Sequence, residues 1–214
     1  MNPFRQFDDR LLLSINDLAR RTPWLHTPML SYATYGVVLF GVLLLCALTA
    51  HRHLTSRRLA ATGWAGLAPL LALGMNQPLG HLIREARPYV THPGILRLAD
   101  VTTDFSFPSD HAVMAGAVAA GLLLSSRRLG LAAAALAVLM AFARVYIGAH
   151  YPWDVLAGLA LGAVVAVGGW WALHPALTAV TQRLRRLPGL HSVFAHHPES
   201  SRIDPAAHPE PSQP

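Results

Sequence analysis

The sequence predicts an all-α bundle of membrane-spanning helices. Of its 214 residues, 53% are hydrophobic and only 13% are charged, a balance that is too apolar for an ordinary soluble domain. The hydrophobic residues gather in five segments that are long enough, or nearly long enough, to cross a bilayer. All seventeen basic residues are arginine, and most lie outside the apolar segments. This placement is typical of membrane topology, so we expect no nucleic-acid partner despite the net charge of +6.

An amphipathic segment precedes the first span. Residues 4–21 carry phenylalanine and leucine near one helical face and charged residues near the other. This pattern predicts an interfacial helix that lies flat on the membrane, with a solvated or bundle-packed helix as the alternatives. We therefore assign residues 1–24 to an N-terminal amphipathic segment.

The five apolar segments make up a predicted membrane domain over residues 25–186. The second segment contains Pro69 and Pro78, so a kinked helix is expected there. Small residues crowd the last three segments, including Gly158 and Gly162, and they allow helices to pack closely. The segments are residues 28–50, 59–79, 110–126, 129–147 and 155–174.

Residues 187–214 are rich in proline, histidine and serine and have no apolar periodicity, so they predict a disordered cytoplasmic tail. Cys46 is the single cysteine, which excludes a disulfide framework within one chain. The sequence leaves the oligomeric state open.

Arginine placement predicts the orientation of the bundle. Arginine pairs or triplets follow the first, third and fifth spans, and by alternation these three loops lie on one side. The positive-inside rule makes that side cytoplasmic. The other polar segments then meet on the extracytoplasmic side. The arginines are Arg52, Arg57 and Arg58, then Arg127 and Arg128, then Arg183, Arg185 and Arg186.

Three polar islands lie at the ends of apolar runs on that extracytoplasmic side. They are residues 84–88, residues 108–111 and residues 144–154. Ionisable side chains near hydrocarbon are costly and usually mark a functional site. Arginine matches phosphate oxygens with paired hydrogen bonds, and histidine can carry a phosphoryl group or move a proton. The islands together predict a phosphoryl-transfer site.

Local sequence places two helix starts at this site. Ser109 is expected to cap the third span, and Pro152 and Asp154 are expected in the first turn of the fifth, with His150 just before it. A helix N-terminus favours a bound anion. Each residue also has a purely structural explanation, such as a helix-end cation for Arg144, but their combination on one side favours a site.

At these residues the sequence resembles the type 2 phosphatidic acid phosphatase and vanadium haloperoxidase superfamily. The signature of that family is Lys, six residues, Arg-Pro, then Pro-Ser-Gly-His, then Ser-Arg, five residues, His, three residues, Asp. The resemblance covers roughly residues 59–170. The matching residues are Arg87, Pro88, Pro108, Ser109, His111, Arg144, His150 and Asp154.

This chain departs from the signature at three positions. Gly80 stands where the lysine belongs, Asp110 replaces glycine, and Ala143 replaces serine. The Pro-Ser-Asp-His form is similar to the bacterial branch that hydrolyses undecaprenyl diphosphate. Asp110 therefore favours undecaprenyl diphosphate as the expected substrate.

The resemblance implies a role for each matching residue. His150 would attack phosphorus and form a phosphohistidine, Asp154 would orient its ring, and His111 would protonate the leaving oxygen. The phosphate would be bound by Arg87, Ser109 and Arg144. No metal and no cofactor is expected.

A substitute for the missing lysine is expected at Arg84. If residues 79–87 continue as a helix, positions 80, 84 and 87 share one face, and Arg84 lies between Gly80 and Arg87. Its guanidinium could then take the lysine's place as a phosphate ligand. The alternative is an interfacial arginine that pairs with Glu85 or with lipid phosphate.

The resemblance implies an integral membrane lipid phosphatase. The expected reaction converts polyprenyl diphosphate to the monophosphate at the outer face of a bacterial cytoplasmic membrane. Phosphatidate and phosphatidylglycerol phosphate are the alternative substrates. A non-catalytic lipid-phosphate binding or transport protein is the alternative from another class. In each case the expected partners are a lipid phosphate or diphosphate and membrane lipids.

Overall fold

The computed structural model describes residues 3–187, and throughout that range the ordered elements are helices. The predicted all-α class is therefore confirmed. A short 3-10 turn, Pro23–Leu25, separates the first two α-helices. The predicted disordered tail lies outside the described residues, apart from Leu187. The helices are α1 (Pro3–Arg21), α2 (His26–Tyr35), α3 (Val37–His51), α4 (Ser56–Ile83), α5 (Pro88–Thr91), α6 (Asp110–Ser125), α7 (Arg127–Tyr146) and α8 (Pro152–Arg185).

All five predicted apolar segments are helical, but they do not all have the form of a full span. In the described chain, α4 with α5, α7 and α8 are long and apolar enough to cross a membrane. The first segment is divided into α2 and α3, which are bent by 54° and, if they act as one broken span, make a fourth. The third, α6, has 16 residues, a length of about 24 Å against a hydrocarbon core of about 30 Å.

The short helix α6 is enclosed by protein. It packs against α4, α7 and α8, and most of its side chains are buried. A helix whose backbone is shielded by neighbours need not match the thickness of the bilayer. Packing with α8 is backbone to backbone, since a Cβ added at Gly162 would overlap the Val113 carbonyl oxygen. This close approach places the starts of α6 and α8 side by side.

We expect Gly162→Ala to destabilise the bundle, because its methyl group would push α6 away from α8. Overpacking of this kind costs about 1–3 kcal/mol. Gly168→Ala on the same helix is the matched control, since a Cβ there meets nothing within 4 Å. Thermal unfolding in detergent, followed by circular dichroism, should show a lower Tm for Gly162→Ala only. Equal Tm values for the two variants would contradict the close α6–α8 contact.

Helix α1 lies across the loops at one end of the bundle. Leu12 is fully buried in a cluster with Val145 and Tyr151. The Asn16 side chain donates to the Leu96 carbonyl and accepts from the Leu96 amide. The predicted helix is thus present with one face packed on the bundle, as in the bundle-packed alternative. The opposite face exposes Phe7, and its burial in the membrane interface stays a prediction.

Candidate active site

The three polar islands meet around a cavity of 510 Å³. The cavity lies where the end of α4, the loop before α6, the start of α6 and the turn between α7 and α8 come together. Four of the predicted site residues line it: Arg87, His111, Arg144 and His150. Asp154 lies behind this wall, 3.5 Å from the imidazole of His150, whereas Arg84 does not line the cavity.

His150 is held in one ring orientation at the centre of the site. Its side chain is buried, and Nδ1 lies 2.8 Å from the carbonyl oxygen of Ser106, so Nδ1 carries the proton and donates it. Nε2 therefore carries no proton, and its lone pair accepts from the guanidinium groups of Arg87 and Arg144. That atom lies 3.3 Å from Nη1 of Arg87 and 3.1 Å from Nη2 of Arg144.

The surroundings of His150 keep its ring neutral. Burial is the largest effect, and the charges of Arg144 and Arg87 add to it, so the pKa of His150 is held well below its ordinary value. A neutral imidazole with an unprotonated Nε2 is the form that can attack phosphorus. The two guanidinium groups beside it can bind the oxygens of a phosphate at the same position.

Asp154 acts on His150 partly through Ser106. The carboxylate is fully buried in the first turn of α8, where Oδ2 accepts from the Tyr151 amide and from the Ser106 hydroxyl. The carbonyl of Ser106 is nearer to Nδ1 of His150 than the carboxylate is. The tautomer is therefore set mainly by a backbone carbonyl, while Asp154 secures the Ser106 segment and supplies negative charge next to the ring.

The two arginines are held by protein acceptors, and one nitrogen of each has no acceptor in the described chain. Arg87 donates from Nη1 to the Ala149 carbonyl at 2.9 Å and from Nη2 to Asp104 at 2.9 Å. Burial acts to raise the pKa of Asp104, but hydrogen bonds from Thr102 and Arg87 hold it below its usual value. Nε of Arg87 and Nε of Arg144 are buried and have no acceptor within the described chain.

Ser109 starts α6 but does not cap it with its side chain, so the predicted capping hydrogen bond is absent. Its amide donates to the Asp154 carbonyl at 3.2 Å, which links the starts of α6 and α8. Its hydroxyl is buried and has no partner among the described residues. His111, two positions further along, reaches the cavity.

The helix expected to carry Arg84 into the site ends too early. Helix α4 ends at Ile83, and Arg84 follows in the left-handed conformation, with φ of 55°. Positions 80, 84 and 87 therefore do not share a helical face. The Arg84 side chain is exposed and donates from Nε to the His81 carbonyl. The predicted geometry for a lysine substitute is thus wrong.

We expect Arg84→Gly to retain most of the wild-type turnover. Glycine adopts a positive φ without the steric cost of a side chain, which is about 1 kcal/mol, so the variant should also be at least as stable. Phosphate release and Tm should be measured at matched protein concentration. Arg87→Ala is the comparison variant and should lose activity strongly. Loss of activity in Arg84→Gly comparable to that in Arg87→Ala would restore Arg84 as a phosphate ligand.

Sequence reasoning missed several residues that shape the site. Ser106 donates a hydrogen bond to Asp154, and Asp104 accepts one from Arg87. On α4, the Asn76 amide donates to the Pro108 carbonyl at 3.0 Å and to Asp110 at 2.7 Å. A buried amide in an apolar helix was the available signal for Asn76. For Ser106 the only available signal was its position two residues before Pro108.

Comparison with known proteins identifies the family of this chain. The family model of the PAP2 superfamily matches residues 61–178. Undecaprenyl-diphosphatase BcrC of Bacillus subtilis is 29% identical over 152 residues, which cover 71% of this chain and 77% of the relative. The YbjG protein of Escherichia coli is 33% identical over 165 residues, 73% of this chain and 79% of that protein.

Two solved structures share the fold. Aquifex aeolicus LpxE superposes with a TM-score of 0.61 at 23% identity, covering 76% of this chain and 93% of LpxE. A transmembrane PAP2 type phosphatidylglycerolphosphate phosphatase from Bacillus subtilis gives a TM-score of 0.56 at 24% identity, covering 87% and 90%. With the family match over more than half of its length, the chain belongs to the PAP2 superfamily and is a multi-pass membrane hydrolase of lipid phosphates.

Proposed function

We propose that this protein hydrolyses polyprenyl diphosphate to the monophosphate through a phosphohistidine at His150. The observation that carries the mechanism is the unprotonated Nε2 of His150, which lies between the guanidinium groups of Arg87 and Arg144. The diphosphate substrate is supported by the name of the Bacillus subtilis relative BcrC and by Asp110, which gives the Pro-Ser-Asp-His form.

The reaction follows from these positions. Nε2 of His150 attacks the terminal phosphorus, and the bond to the bridging oxygen breaks. His111 donates a proton to the departing oxygen, and then accepts one from the water that attacks the phosphohistidine. Arg87 and Arg144 stabilise the charge on the equatorial oxygens. The products are inorganic phosphate and a polyprenyl monophosphate.

The substrate assignment is tested with a panel of lipids. Purified protein in detergent is given undecaprenyl diphosphate, phosphatidate or phosphatidylglycerol phosphate, and phosphate release is measured with excess chelator present. We expect the highest kcat/KM for the diphosphate and no loss on chelation. A higher kcat/KM for either phospholipid would mean that this phospholipid is the preferred substrate. If phosphate is released from none of the three lipids, the binding-protein alternative would be favoured.

We place the site on the outer face of a bacterial cytoplasmic membrane. The support is the arginine distribution, because α4 begins and α8 ends with arginines, whereas the cavity lies at the opposite ends of these helices.

The orientation predicts opposite labelling of two exposed positions. Val101 lies in the loop before α6 and Gln182 in the last turns of α8. With Cys46 replaced by alanine, Val101→Cys should react with an impermeant maleimide added to intact cells. Gln182→Cys should react only after the cells are opened. Labelling of both from outside would contradict the topology, and the reverse result would place the site in the cytoplasm.

A further inference from the structure

A second cleft of 260 Å³ lies at the other end of the bundle from the active site. It is formed by α3, the first half of α4 and the last turns of α8. The catalytic cavity instead uses the last turns of α4 and the start of α8. The residues that line the second cleft are Leu48, Leu59, Ala60, Gly63, Trp64, Leu67, Leu177, Val180, Thr181, Leu184 and Arg185.

The walls of this cleft suit a hydrocarbon chain. Apart from Thr181 and Arg185, its lining lacks charged or hydroxyl side chains. Gly63 leaves the space open, since a Cβ added there meets nothing within 4 Å. All three helices belong to apolar segments of the membrane domain, so we expect the cleft to open toward lipid tails. An acyl chain is therefore the apolar group available to fill it.

The polar end of the cleft is cationic. Nη2 of Arg185 donates to the carbonyls of Arg52 and Leu54, while Nη1 makes no hydrogen bond among the described residues. Arg57 and Arg58 precede the lining residue Leu59, and Arg183 precedes Leu184. These arginines are within two positions of a lining residue, at the same end of the bundle as the cleft.

Nothing within the described chain neutralises this positive charge. Residues 18–84 and 155–187, which include every part of the cleft, contain no aspartate or glutamate. The acidic residues in the described range lie in α1 and between residues 85 and 154, at the catalytic end. Basic pockets between membrane helices bind the head groups of anionic lipids, with about 1 kcal/mol for each arginine or lysine near the surface.

We propose that this cleft binds one anionic phospholipid of the surrounding leaflet. Its acyl chain lies along Gly63 between α4 and α8, and its phosphate accepts hydrogen bonds from Arg185 and the neighbouring arginines. The site is separate from the catalytic cavity, so this proposal does not depend on the lipid substrate or on the orientation assigned above.

The experiment uses the full-length protein in detergent with equal amounts of phosphatidylglycerol and phosphatidylcholine. Native mass spectrometry counts the lipids retained as detergent is stripped in the gas phase. The wild type should retain one phosphatidylglycerol in preference to phosphatidylcholine. Gly63→Leu should lose it, because leucine fills the cleft. Gly66→Leu is the matched control on the same helix, since Gly66 is equally open but does not line the cleft, and it should retain the lipid.

A second variant tests recognition of the head group. Arg185→Gln should reduce the preference for phosphatidylglycerol about fivefold, the factor expected for one arginine near the surface. Because Arg185 also binds the α3–α4 loop, its Tm and lipid phosphatase activity are measured in parallel. If Arg185→Gln does not fold, the comparison of lipid retention by Gly63→Leu and Gly66→Leu tests the proposal by itself. Equal retention of the two lipids by the wild type, or phosphatidylglycerol retained by Gly63→Leu, would overturn the proposal.

Discussion

His150→Ala is expected to abolish phosphate release by the purified protein. The variant lacks the unprotonated Nε2 that lies between the guanidinium groups of Arg87 and Arg144. His111→Ala should instead slow the formation or breakdown of the intermediate, by about 10²–10⁴-fold for a positioned acid. Single-turnover experiments with ³²P-labelled substrate, quenched in alkali, should trap labelled protein in the wild type and none in His150→Ala.

The matched control for this prediction is His174→Ala. His174 lies in the middle of α8 against Trp170 and does not line the cavity, so its loss should leave turnover close to that of the wild type. Release by His150→Ala at more than a few per cent of the wild-type rate would exclude His150 as the nucleophile.

The acid side of the pH profile follows from the same geometry. His150 must be neutral to attack, and its pKa is held well below the ordinary value by burial and by Arg144 and Arg87. Activity that depends on this group is present above its pKa and is lost only as the pH falls through it. We therefore expect kcat/KM to be maintained below about pH 6.5, the ordinary histidine pKa. Arg144→Gln removes one of the charges that lower the pKa of His150. Its residual activity should therefore be lost at a higher pH than that of the wild type.

Asp154→Asn is the second change for which we expect a large loss, on the order of 10²–10⁴-fold in kcat. The carboxylate accepts from the Tyr151 amide and the Ser106 hydroxyl, and it supplies negative charge 3.5 Å from Nδ1 of His150. Phosphorylation makes the imidazole cationic, and a neutral amide cannot stabilise that charge. Replacement of the orienting aspartate in a catalytic triad has an effect of comparable size.

Asp8→Asn separates this electrostatic role from support of the helix. Asp8 accepts from the Trp153 amide, so both aspartates contact the first turn of α8, but Asp154, unlike Asp8, is paired with the imidazole of His150. Asp8→Asn should alter Tm more than kcat, and Asp154→Asn should do the opposite. Similar changes in kcat for the two variants would mean that Asp154 only holds the helix.

Ser106→Ala distinguishes the two routes by which Asp154 reaches His150. It removes the hydroxyl that binds the carboxylate but keeps the backbone carbonyl that accepts from Nδ1. Since the nearer acceptor remains, its loss of activity should be smaller than that of Asp154→Asn.

The sequence by itself determined the helical class, the membrane location and four of the residues that line the cavity. Apolar segments are long and local in sequence, so their helices need no tertiary information. His150 and Asp154 are four residues apart across a helix start, and Arg144 is nearby in the chain. Their proximity therefore follows largely from local geometry.

Tertiary structure decided what depends on distant partners. Ser106 contacts His150 across 44 positions, and no local pattern predicts a carbonyl acceptor there. Helix α6 is short because neighbouring helices enclose it, a condition that its own sequence does not express. Arg84 was placed wrongly because α4 ends in a left-handed arginine rather than the glycine that usually marks such an end. Local sequence predicts which segments are helical, whereas packing between them determines where each helix ends and which atoms meet.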